Sequence, residues 1–107
     1  MVKISDHGNK RVRSRCGIPK KSVEKLTKDA FHKGITHAET TGSLNKFITA
    51  EYFYNQKANN IRIYNDKVFI FAGETLVTVF NLPQRYRESV KNILKDRLKD
   101  RREGAAV

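Results

Sequence analysis

His7, Arg11 and Arg15 recur at four-residue spacing, which would set one imidazole and two guanidinium groups along a single helix face. An unperturbed imidazole titrates near neutral pH, so His7 can take up or give up a proton under ordinary conditions. A guanidinium fork matches two phosphate oxygens at once, which suits Arg11 and Arg15 to clamp a phosphodiester and offset charge developing on it. Proton transfer beside a clamped phosphate is what metal-independent RNA cleavage asks of a protein, because the ribose 2′-OH supplies the nucleophile. His37 is a second acid/base candidate, Arg62 a third clamp, and the hydroxyl of Thr78 can orient the scissile phosphate. His32, beside Phe31 on a lysine-rich stretch, reads as a solvated rim group.

The sequence holds no glycine-rich phosphate loop, no paired-cysteine zinc site and no His-Glu-x-x-His motif, so it calls for neither metal nor cofactor. Cys16 is the sole cysteine, which excludes an internal disulfide and reads as a small buried residue in a reducing compartment. The 107 residues, 38% of them hydrophobic, suit one domain with one modest core, ordered over residues 4–98 with the basic stretch 99–107 trailing off. No apolar run approaches the roughly 18 residues of a membrane span, and the N-terminal stretch lacks the apolar segment of a secretion signal. A cytoplasmic location and no membrane partner are therefore expected.

Charge is unevenly spread. Residues 1–33 hold ten Lys/Arg against three Asp/Glu, residues 34–82 four against four, and residues 83–107 eight against four. A neutral middle between basic ends separates the part that builds the body from the parts that supply an electrostatic field, and nucleic acid is the first partner such a field suggests. Arg13, Lys20, Lys21, Arg62, Tyr64, Lys67 and Phe69 are the residues expected to contact RNA. Towards the C-terminus, Glu88, Asp96 and Asp100 interrupt the cations, so that run reads as a solvated helix face with part of its charge paired locally.

The elements that must position these groups follow from the apolar spacing. Ser5 or Asp6 can cap a short helix ending at Gly17; Pro19 opens a second helix through about Lys33, with Val23, Leu26, Ala30 and Phe31 inward. Ser43 can cap a third, whose buried stripe is Leu44, Phe47, Ile48, Tyr52 and Phe53, fraying near Lys57. Pro83 starts the last helix, with Tyr86, Val90, Ile93, Leu94 and Leu98 inward. Between them the period changes to two, and Asn65-Asp66 and Gly73-Glu74 predict tight turns of a three-stranded antiparallel meander. The fold class expected is α+β, N-terminal helices packed on an antiparallel β-meander of at least three strands with a C-terminal helix.

Tight turns would set Ile63 opposite Val68, Arg62 opposite Phe69, Phe69 opposite Thr78 and Ile70 opposite Val77. One face then gathers Ile61, Ile63, Val68, Ile70, Val77 and Val79; the other gathers Arg62, Tyr64, Lys67, Phe69, Phe71, Leu76, Thr78 and Phe80. Left open, the second face would offer cations for phosphates and aromatic rings for bases. The plainer reading covers the sheet on both sides and leaves Arg62 and Lys67 at the rim.

The stretch from His7 through Arg11 and Arg15 to Gly17-Ile18, followed by a helix and a meander carrying Leu76-Val77-Thr78-Val79, resembles small mobile-element toxin-like domains that begin His-x-x-x-Arg-x-x-x-Arg-Gly-Ile. Here Cys16 sets Gly17-Ile18 one position further on. Those domains are similar to the barnase/EndoU/colicin/RelE-like group of metal-independent RNases. The resemblance implies His7, Arg11, Arg15 and Thr78 as site residues and a toxin-type endoribonuclease, with a protein antitoxin as a further partner. Two other readings stand beside it: a basic nucleic-acid-binding module without catalysis, and a mobile-element inhibitor that docks on a host nucleic-acid enzyme through an apolar patch formed by Phe69, Phe71 and Phe80.

Overall fold

The computed structural model of the chain describes residues 2–5, 10, 20–54 and 59–105, the side chains of 20, 21 and 100–105 excepted. Strands β1 (Lys3–Ile4), β2 (Asn60–Tyr64), β3 (Lys67–Ala72) and β4 (Thr75–Asn81) form one sheet in the order β1-β4-β3-β2. Helix α1 (Lys20–Lys33) packs on one face, where Val23 and Ala30 meet Phe69, Phe71, Leu76 and Val79. Helices α2 (Gly42–Tyr54) and α3 (Arg87–Ala105) cover the other, where Leu44, Ile48 and Val90, with Tyr86 of the 3-10 turn before α3, meet Ile61, Ile63, Val68 and Ile70.

The α+β class agrees with the sequence reading, with two corrections. The sheet is mixed, because β1 joins β4 in parallel through Lys3↔Thr75 and Ile4↔Leu76. Ser5 donates its backbone N–H and its hydroxyl to the carbonyl of Leu76, carrying that pairing one residue past β1. Helix α3 continues to Ala105 where a trailing tail was expected. The first expected helix falls on residues 6–17, of which only Lys10 is described, and it is helical.

The hairpins turn where the sequence places them. Asn65 and Asp66 take φ of 49° and 58°, the left-handed pair that a two-residue turn requires, and Gly73 takes 63°. Ile63↔Val68 and Arg62↔Phe69 hold, but β4 departs from the expected register: Phe69 faces Val79 and Ile70 faces Thr78, with a shift between Ile70 and Phe71. The cause lies in the apolar pattern. Leu76 and Val79 are three apart and would point to opposite faces of a regular strand. One extra residue between them lets both bury fully under α1. Val77 is that residue, and it is left 36% exposed.

The outer edge of β2 is closed. Ile63 exchanges backbone hydrogen bonds with Ile35, at 2.8 and 3.0 Å. The N–H of Ile61 donates to the Tyr52 phenol oxygen at 2.9 Å, and its carbonyl accepts from Arg62 Nη1 at 3.2 Å.

Candidate nucleic-acid interface

An exposed charge is available to a partner only if the protein has not already neutralised it. On α1, Lys28 pairs with Glu24 at 3.4 Å and Lys33 with Asp29 at 3.8 Å, each one turn apart. Helix α3 differs. Arg87, Lys91, Lys95 and Lys99 are all exposed, recur every four residues, and have no ion-pair partner among the described residues. At 1.5 Å per residue the row spans about 18 Å, enough to follow several phosphates of a strand. Leu94 and Leu98, 44% and 56% exposed, flank it; both were expected inward. Arg85 lies over the Tyr86 ring at 4.9 Å.

Arg97 faces the opposite way and is committed to the fold. Its guanidinium holds both carboxylate oxygens of Glu39, the nearer through Nη2 at 2.5 Å and the other through Nε at 2.6 Å, and also donates to the carbonyls of Lys33 and Gly34. Thr36 adds backbone and hydroxyl hydrogen bonds to the same carboxylate. The Arg97 fork lowers the pKa of Glu39 to about 2, well below the ordinary 4.5.

His7, Arg11, Arg13 and Arg15 lie outside the described residues, and so do the side chains of Lys20 and Lys21. Arg62 and Thr78 are on different faces, because the shifted register turns Thr78 towards Ile70. Both faces carry helices, so the open mixed face expected from regular alternation does not form. Phe69 is fully buried under α1, with Phe71, and neither can stack a base or form a surface patch. Phe80, half-buried, packs edge-on to Phe47 on the opposite face.

Arg62 is drawn into the structure: its guanidinium lies over the Phe31 ring at 5.3 Å and donates to the Phe31 carbonyl at 3.3 Å. Tyr64 packs against the α1 side, and Lys67 donates to the Asn81 side-chain oxygen at 2.8 Å. The Thr78 hydroxyl is buried and has no hydrogen-bond partner among the described residues.

His37 opens a short 3-10 turn, His37–Glu39, and meets α2. Its Nε2 lies 2.9 Å from the Thr49 hydroxyl, which donates its own hydrogen to the Asn45 carbonyl at 2.8 Å. Thr49 therefore has only a lone pair to offer, so in the neutral ring Nε2 donates to it and Nδ1 keeps the lone pair. Thr49, Tyr52 and Phe53 complete a pocket of about 370 Å³ around the imidazole. No arginine contacts His37 among the described residues.

The sequence reading missed the α3 row, and it missed Phe53 as a surface group, since that ring was expected inward and is 79% exposed. Spacing shows the row, but interspersed acids suggested local pairs; among the described residues Glu88 and Asp96 form none, and the Asp100 side chain lies outside them. Among the described residues, no three His, Cys, Asp or Glu side chains are grouped to hold a metal ion, and no helix is long and apolar enough to cross a membrane. No family model matches the chain, and no curated protein or solved structure is significantly similar to it.

Proposed function

We propose that this protein binds single-stranded RNA in the cytoplasm and cleaves it without a metal ion, the bound strand running along α3 and the N-terminal segment supplying the chemistry. The row Arg87-Lys91-Lys95-Lys99 carries the proposal: four like charges on one helix, unpaired among the described residues, repel one another, an arrangement that a polyanion relieves. For cleavage the support is the residue set His7, Arg11 and Arg15 and its resemblance to the toxin-type RNases, together with the anchoring of Ser5 on Leu76, two residues ahead of His7. In this mechanism His7 takes the proton from the ribose 2′-OH as its oxygen attacks phosphorus. Arg11 and Arg15 offset the charge on the phosphorane; the P–O5′ bond then breaks, the 5′-oxygen takes up a proton from water and leaves as a hydroxyl, and a 2′,3′-cyclic phosphate remains.

Incubating the purified protein with labelled RNA in EDTA, and determining product ends, tests this. Cyclic phosphate ends from the wild type and none from His7→Ala are expected, with the rate lowered by about 10²–10⁴-fold. A second reading, binding without cleavage, is favoured by one observation: Arg62, Thr78 and His37 are not brought together. Intact RNA in every wild-type incubation, with binding retained, selects it.

A further inference from the structure

Helix α2 ends in Phe53 and Tyr54, 79% and 87% exposed, although the fold has buried the Phe69 and Phe71 rings completely. Beside Phe53 two further rings are held still. The Thr49 hydroxyl fixes the His37 imidazole, and the Ile61 N–H fixes the Tyr52 phenol; their centroids are 5.3 Å apart with planes inclined by 47°. Immobilised rings around an open pocket of about 370 Å³ have already given up the rotamer freedom that ligand binding would otherwise remove.

A planar aromatic ligand fits this lining better than an aliphatic or a purely ionic one. It can lie against Phe53, and the lone pair left at His37 Nδ1 gives one hydrogen-bond acceptor. The same face of α2 continues through Ala50, small and exposed, and Thr49 to Lys46, two turns before Phe53, which is exposed and has no ion-pair partner among the described residues. An aromatic pocket with an unpaired cation along the same helix face suits a base and its phosphate.

We infer that the pocket of His37, Thr49, Tyr52 and Phe53 holds one unpaired nucleobase of the bound strand, with Lys46 on a neighbouring phosphate. This rests on the RNA-binding reading and extends it: α3 takes the backbone without regard to the bases, and the pocket makes binding depend on them.

The test compares a short single strand with 2′-O-methyl riboses, which cannot be cut by the 2′-OH route, with an abasic phosphodiester strand of equal length, binding both to wild type, Phe53→Ala and Phe53→Tyr. Wild type should prefer the strand with bases by roughly tenfold, the scale of one base stacked on an aromatic ring. Phe53→Ala should erase that preference and Phe53→Tyr restore it, with unchanged thermal unfolding because position 53 is exposed. Equal binding of the two strands by wild type, or a preference untouched in Phe53→Ala, overturns the pocket and leaves RNA binding standing. The converse is separable by NMR with adenosine monophosphate. Shifted His37 and Phe53 resonances in a protein that binds neither strand overturn the RNA reading and keep the pocket as a nucleotide site; unshifted resonances in that protein overturn both.

Discussion

Glu39 shows how one carboxylate can hold three segments. Arg97 reaches it from α3 while donating to the last carbonyls around the end of α1, so the ion pair joins both helices to the 3-10 turn that carries His37. Its folded-state pKa, about 2, lies below the ordinary 4.5, so the group stabilises the fold fully above its unfolded value and loses that contribution as pH falls towards 2. With both side chains about one-third exposed, solvent screening reduces the contribution to about 1–2 kcal/mol. Urea unfolding at several pH values should find Glu39→Gln less stable by that amount at pH 7, the two curves converging as the wild-type carboxylate protonates. Gly34 has a different role at the same junction. A Cβ there would lie 2.4 Å from the Ala30 carbonyl oxygen and 2.9 Å from Arg62 Cβ, and neither can swing away as a side-chain tip would. Gly34→Ala should therefore cost about 1–3 kcal/mol in the same measurement.

Among the elements, α3 and β4 mark what the sequence made legible. The apolar spacing placed the three described helices, and Asn65-Asp66 and Gly73 placed the two turns, because each is decided by local chemistry. The path of β4 was not legible in that way. Its apolar residues at 76, 77, 79 and 80 satisfy neither face of a regular strand, and the bulge that resolves them depends on what α1 brings to the sheet. The removal of Thr78 from the Arg62 face follows from that single residue. On α3, the charges were legible but their pairing was not, since it depends on side-chain geometry. Replacing Arg87, Lys91, Lys95 and Lys99 together by alanine should weaken RNA binding and flatten its salt dependence, by about 0.7 in the log–log slope for each phosphate that is no longer neutralised. A filter-binding titration over a salt series reads both. Unfolding should change little, because all four side chains are exposed.

For the whole molecule, the two sides of the sheet divide the work. The α1 side holds the Phe69-Phe71 core, with α1's own charges paired in part along the helix; the other side presents the α3 row and the His37 pocket. Tyr52 connects that pocket to the sheet, since its phenol accepts the Ile61 N–H at the outer edge of β2. Tyr52→Phe keeps the ring and removes the acceptor, and should cost about 1–3 kcal/mol in a denaturant titration if the Ile61 N–H is left without a partner. The closed edge also governs how copies of the molecule can meet. A fibre built by strand addition needs two free edges per molecule, one to accept and one to offer. With β2 sealed by Ile35, Tyr52 and Arg62, only the two-residue β1 remains open among the described strands, so these strands offer edge pairing one site per molecule, enough to join two copies and not to extend a row.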